Sequence, residues 1–137
     1  MAVCKVDYCK TIVPARAGHG AEILGALRDE GVSLLAFTGF PIGGGKAQID
    51  LVAPRIADVR RVARKLGWRL GPTSRAFLVQ GRDAVGAVHR HLAKLARAEI
   101  NVIAADAVAA GGGRFGMILW VAPRDYTRAA RILQARR

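Results

Sequence analysis

Cysteine is scarce in this chain. Cys4 and Cys9 are the only two, and the three histidines, His19, His89 and His91, lie elsewhere, so no four-ligand zinc pattern can be assembled. Two reduced cysteines in a strand are what remains. Long hydrophobic runs are missing too: none approaches the roughly 18 to 20 residues a bilayer span needs. The N-terminus, MAVCKVDYCK, lacks a basic segment followed by a long apolar one. The expectation is a soluble cytoplasmic protein with no membrane partner. Catalytic sets are absent as well, with no Ser-His-Asp combination, no paired carboxylates on a shared element and no phosphate-binding P-loop. Neither an enzyme nor a cofactor is expected. Acids are few, 10 Asp and Glu against 22 Lys and Arg, and a net charge of +12 on 137 residues attracts polyanions. Most of those cations are Arg in an Ala-rich chain, a bias that a GC-rich genome also produces without selection for any partner.

Apolar material is plentiful, 52% of the chain with a mean hydropathy of +0.20, enough for a buried core in one ordinary domain or two very small ones. The chain also repeats itself. GGGKAQIDLVAP at 43–54 returns as GGGRFGMILWVAP at 111–123, and LRDEGVSLLAF at 27–37 lies over LARAEINVIAA at 95–105, in each case starting 68 positions further on.

Each half reads alike. An apolar stretch (Cys4 to Val13; Ser74 to Gln80) is followed by a Gly-containing turn and an amphipathic segment, with Ile23, Leu24 and Leu27 in one half and Val88, Leu92 and Leu95 in the other as its apolar stripe at i, i+3/i+4 spacing. Two β-rich runs follow: Ser33 to Phe40 with Ala47 to Val52, and Asn101 to Ala109 with Phe115 to Val121. The Gly triplet between the members of each pair suits a hairpin, where positive φ is adopted cheaply. Pro54 and Pro123 end the strand, and a second helix follows with Val59, Val62, Ala63 and Leu66, or Tyr126, Ala129, Ile132 and Leu133, as its apolar stripe. GWRLGP at 67–72 reads as a fourth strand of the first half, and the second half has none. The prediction is an α+β fold: two ferredoxin-like βαββαβ repeats, at 1–72 and 73–137, with antiparallel sheets, helices on one face and seven strands in all.

The turn GRDAVGAV at 81–88 and AEINV at 98–102 resemble the ACT domain family, small-molecule sensing modules of amino-acid metabolism. The family pattern opens its first helix with Asp-Arg-Pro-Gly-Ala-Leu and ends it with Gly-Ile-Asn-Val. Asp83, Gly86, Ala87, Ile100, Asn101 and Val102 match; Ala84, Val85 and Val88 replace the Arg, Pro and Leu. In the first half ARAGHG at 15–20 keeps Arg16 and Gly18 but has Ala15 in place of the acid, and Ser33 stands at the Asn position. The resemblance implies a tandem ACT protein that binds an amino acid or related metabolite and acts through self-association, most simply as a homodimer. It places ligand contacts at Arg82, Asp83, Ala84, Val85, Gly86, Asn101 and Val102, and at Arg16, Gly18 and Ser33.

The residues themselves leave alternatives open. Asp83 suits an ordinary helix N-cap, or an ammonium-binding carboxylate beside N–H groups that hold the ligand's own carboxylate. Gly86 admits a close approach of a ligand or simply of packed backbone. Asn101 caps a helix end or binds a ligand, and Arg16 is either a solvated cation or a bidentate carboxylate clamp. Arg60, Arg61, Arg64 and Lys65, with Arg128, Arg131, Arg136 and Arg137, form two basic ridges that are solvated faces or a surface for an acidic protein partner or nucleic acid. A rival reading is an RNA-binding sheet presenting Phe77 and Phe115, with Trp120 nearby, although Met117 stands where a second aromatic belongs. Val-Gln-Gly at 79–81 faintly resembles acylphosphatases, with Arg90 and Asn101 as the only candidates for their Arg and Asn.

Overall fold

The computed structural model describes residues 2–137. Its elements are β1 (Ala2–Pro14), α1 (His19–Asp29), β2 (Ala36–Gly43), β3 (Lys46–Ala53), α2 (Ile56–Leu66), β4 (Ser74–Arg82), α3 (Ala87–Arg97), β5 (Val102–Gly111), β6 (Arg114–Val121), a short 3-10 turn (Pro123–Asp125) and α4 (Tyr126–Leu133). Six strands and four helices make an α+β, ferredoxin-like fold. The chain forms two compact units: Asp7–Ser74, and Arg75–Arg137 together with the stretch ending at Val6.

In the Asp7–Ser74 unit the strand order is β2-β3-β1, with antiparallel pairs such as Tyr8 with Val52 and Phe37 with Leu51. Cys9, Ile49 and Leu51 project from one face of these strands because alternate residues share a face. They form a core with Ile23 and Leu27 of α1 and Val59 and Val62 of α2, so both helices cover that same face. The other unit repeats the arrangement. β6 lies between β4 and β5, and Phe77, Val79, Phe115, Met117 and Leu119 meet Leu95 of α3 and Ala129 and Leu133 of α4.

The elements recur at the spacing read from the sequence. α1 and α3 are each 11 residues long and begin at His19 and Ala87; β3 and β6 are each 8 residues long and begin at Lys46 and Arg114. Backbone conformation follows. The triplet Gly43, Gly44 and Gly45 has φ of 90°, 62° and 70°, and Gly111, Gly112 and Gly113 have 84°, 62° and 73°. Three successive left-handed residues are accessible to glycine without the Cβ clash other residues meet, which explains why the hairpin is written with a triplet.

One expectation needs correction. Residues 67–72 are not a strand: Gly67 closes α2 in the left-handed conformation at φ 75°, and the segment then runs beside β1 with a single backbone bond, Gly71 N–H to Lys10 O at 2.8 Å, and Thr11 Oγ1 donating to Arg69 O. Pro72 has no N–H to extend the ladder. Six strands result, not seven. The second unit likewise ends in a fragment rather than a strand, since Arg136 forms one parallel bridge to Cys4 through Lys5 N–H to Arg136 O and Arg136 N–H to Val3 O.

The RNA-platform reading also fails. Phe77 is fully buried and Phe115 is 4% exposed, with Phe77 stacked on Tyr126 at 4.4 Å between ring centres and 5° between planes. Trp120 is buried too. No face of these rings is open to a base, because the helices cover the side of the sheet from which Phe77 and Phe115 project. Phe115→Ala is expected to lower the unfolding free energy by about 3–5 kcal/mol, as a core truncation does; urea denaturation measures it, and a loss below about 1 kcal/mol would contradict this packing.

Candidate functional site

Each unit opens a cleft at the start of its first helix. In the second unit the end of β4 passes into a turn at 83–86, and α3 begins with Gly86 as its N-cap, left-handed at φ 81°. Asp83 N–H donates to Gly113 O at 2.8 Å, fastening the turn to the hairpin of β5 and β6. The walls that result, Asp83, Ala84 and Gly86 on the turn, Ala87, Val88 and His89 on α3, Ala107, Val108 and Ala109 on β5 and Phe115 on β6, enclose about 380 Å³. The other unit builds the same feature. Ala15 N–H donates to Gly45 O at 2.8 Å, Gly18 caps α1 at φ 87°, and a cleft of about 410 Å³ lies among residues that include Arg16, His19, Phe37, Phe40 and Ile49. Both volumes lie within the range of small-molecule sites.

Neither helix start carries a side-chain cap. The leading N–H groups of an α-helix lack intrahelical partners and bear the positive end of its dipole, so both clefts sit at ends suited to a carboxylate. Asp83 is exposed and does not cap α3, contrary to its simplest sequence reading, because Gly86 occupies the cap position three residues later. Asp83 instead lines the cleft.

The other sequence-derived residues divide in two. Ala84 lines the second cleft with Asp83 and Gly86, and Arg16 lines the first, where its guanidinium makes two 3.3 Å contacts with the Glu22 carboxylate. Gly18 sets the turn beside that cleft as the cap of α1. Arg82, Val85, Asn101, Val102 and Ser33 are not in either wall. Arg82 ends β4 opposite Arg114, Val85 projects fully into solvent, and Val102 packs on the core. Asn101 and Ser33 are exposed beyond the helix ends, where the backbone closes through Ile100 N–H to Leu95 O and Val32 N–H to Leu27 O, both 2.9 Å.

The strand walls were missed from sequence. Ala107 to Ala109 and His89 carry no motif, and neither do Phe37 and Phe40, while Phe115 drew notice only as a stacking aromatic and His19 only as part of the turn ARAGHG. Laying one turn over the other would have exposed them, since Gly39, Phe40, Pro41 and Ala47 of one cleft stand 68 residues before Ala107, Val108, Ala109 and Phe115 of the other.

The basic ridges differ from each other. On α2, Arg60 donates to Thr73 Oγ1 and Gly71 O, Arg61 meets Glu30 and Asp58, and Lys65 meets Glu30 at 2.7 Å, so three of its four cations serve contacts within their own unit. On α4, Arg128 reaches Asp125 at 3.7 Å, while Arg131 is exposed.

Beneath the second cleft lies His91, 2% exposed, whose Nδ1–H donates to Ala87 O at 3.0 Å and whose ring tilts toward Phe115 at 6.5 Å. Burial pushes its pKa below the ordinary 6.5, and the neighbouring Lys94 and Arg90 act in the same direction against the Ala87 hydrogen bond.

No protein-family model matches the sequence, and no curated protein shows significant similarity to it. Solved structures do resemble it. A protein from Bacteroides thetaiotaomicron superposes with a TM-score of 0.80 at 10% identity, over 96% of this chain and 88% of its own. The ligand-free regulatory subunit of aspartate kinase from Thermus thermophilus gives 0.68 at 13% identity, over 98% and 95%. Aspartokinase III of E. coli, in complex with aspartate and ADP, gives 0.58 at 16% identity over 97% of this chain and 32% of the enzyme. The fold is ACT-like. Among the described residues no helix is long and apolar enough to cross a membrane.

Because the folded state holds His91 neutral and the unfolded state does not, the unfolded chain binds the extra proton as pH falls through 6.5. Stability is therefore expected to drop from pH 7.5 to pH 5.5 and to level off below the folded-state pKa. His91→Ile, which installs the residue found at the corresponding Ile23, should flatten that drop in chemical denaturation at the two pH values; an unchanged slope would count against a buried neutral imidazole.

Proposed function

We propose that this chain is a non-catalytic regulatory protein of two tandem ACT-like repeats, which binds an amino acid or related small metabolite and acts through self-association. The observation that carries the reading is the doubled cleft, a sizeable opening at an uncapped helix start in each unit, built from corresponding residues. In the second cleft the leading N–H groups of α3 suit a ligand carboxylate and Asp83 suits its ammonium, a combination that selects amino acids. Likeness to regulatory subunits of aspartate kinase supports the same reading. Soluble cytoplasmic residence fits it.

Self-association has its own motive. β2 and β5 each pair on one side only, and nine of the ten residues of β5 are exposed, with Ile103 and Val108 more than half so. An exposed, mostly apolar strand edge pairs readily with a second copy, most simply about a two-fold axis. Ligand that binds the paired state better by a kcal/mol or so, roughly fivefold, shifts the assembly usefully.

A thermal-shift screen of the twenty amino acids tests the binding. A ligand at 100 times its dissociation constant should add about 2.7 kcal/mol of stability, and Asp83→Ala, which copies Ala15 of the first turn, should abolish the rise. Silence from every amino acid at high millimolar concentration would remove the proposal. For assembly, sedimentation at tens of micromolar should show a species larger than 14.6 kDa; a lone 14.6 kDa species with and without ligand would contradict it.

A further inference from the structure

The two clefts share a backbone and differ in chemistry. At three corresponding turn and helix positions the second cleft has Asp83, Ala84 and Ala87 where the first has Ala15, Arg16 and His19. On the edge strand the aromatics change too: Phe37 and Phe40 of β2 stand where β5 has Ala105 and Val108. From this we infer that the first cleft takes a ligand class of its own, an apolar carboxylate without an amino group, while the second takes the amino acid. The inference rests on the reading of the clefts as metabolite sites and adds the ligand's charge and shape.

Three observations carry it. No carboxylate belongs to the wall of the first cleft, and the one beside it, Glu22, is already paired with Arg16, so the wall itself offers an ammonium two basic side chains and no acid. Arg16 is positioned for a carboxylate: its guanidinium already holds one bidentately, that of Glu22, in a pair whose side chains are 53% and 60% exposed, and a solvated pair of this kind exchanges its acid partner readily. His19 adds a second polar group. Its Nδ1 is buried in the wall of the cleft and is, among the described residues, the one buried side-chain nitrogen or oxygen with no hydrogen-bond partner. An unmet buried group of that type is unfavourable, and a polar ligand group brought within its reach would relieve it.

The body of the ligand is set by the opposite wall. Phe37 lies 3.7 Å from where a side chain on Gly20 or on Gly39 would begin, so its ring sits at van der Waals contact distance from both positions. Phe37 is 38% exposed, and with Ile49, which shares its face of the sheet, it offers an apolar surface to a branched or aromatic tail. A carboxylate at Arg16 and the start of α1, with its hydrocarbon against Phe37, satisfies both walls.

Two matched pairs of probes isolate the amino group: 3-phenylpropionate against L-phenylalanine, and 4-methylpentanoate against L-leucine. Titration calorimetry at fixed ionic strength on the full chain carrying Asp83→Ala, which disables the amino-acid site of the second cleft, should show at least one of the acids binding about tenfold or more tighter than its amino counterpart. Arg16→Ala and His19→Ala should each weaken that acid by about tenfold, and Asp83→Ala should leave it unchanged. Both first-cleft variants copy residues present at Ala84 and Ala87, so the helix start tolerates them, and a circular dichroism melt checks this. Equal binding of acid and amino acid, neither acid binding at millimolar concentration, or loss of the acid in Asp83→Ala but not in Arg16→Ala would each overturn the inference. If amino acids still bind through Asp83 in those cases, the metabolite-binding reading stands without it; if nothing binds at all, both fall.

Discussion

A single backbone hydrogen bond, made twice, governs the region where ligands fit. The amide at the β–α turn, Ala15 or Asp83, reaches the carbonyl of the last glycine in the hairpin triplet, Gly45 or Gly113, at 2.8 Å in both units. This bond ties the exit of the first strand to the tip of a hairpin that comes later in the chain. With the turn held, the following helix begins with a glycine in the left-handed region, and no side chain caps its first N–H groups. Without it, the turn would be an ordinary exposed connection and the cleft would lose one wall.

Much of this was legible in the sequence, for a definite reason. Glycine at positive φ cannot easily be replaced, so the triplets and the turn glycines Gly18 and Gly86 kept their places in both halves while the side chains around them diverged. Alternating and helical apolar periods then located the strands and helices to within a few residues. Where the reading went astray, the deciding contacts were tertiary. GWRLGP has the composition of a short strand, but Gly67 ends α2 in the left-handed conformation and Pro72 cannot donate, so the segment makes only one backbone bond to β1. Asp83 has the character of a cap, yet the turn places Gly86 at the cap position. Phe115 looked equally suited to a stacking platform or a core, and only the position of α3 and α4 over its face of the sheet decides between them.

The net charge of +12 separates in the same way once partners are visible. Glu30 at the end of α1 accepts a hydrogen bond from Lys65 and forms an ion pair with Arg61, and Arg60 braces the segment after α2 through Gly71 and Thr73, so cations that look like a ridge in sequence serve as cross-links between neighbouring elements. These contacts are largely solvated and each contributes little alone. Their arrangement nevertheless accounts for part of the basic composition without any external polyanion.

One residue of β5 limits how two copies of this chain can meet. Asp106 is the sole charge in the strand Val102–Gly111 and lies near its middle, opposite Ile118 in the ladder. A two-fold axis through the centre of β5 would set each Asp106 close to its own copy, and like charges facing across strands are unfavourable. The arithmetic of pairing therefore disfavours the fully overlapped arrangement. A dimer joined at this edge would have to slide along the strand in steps of two, since an odd step reverses which face each side chain occupies, until the two carboxylates reach water or a cation.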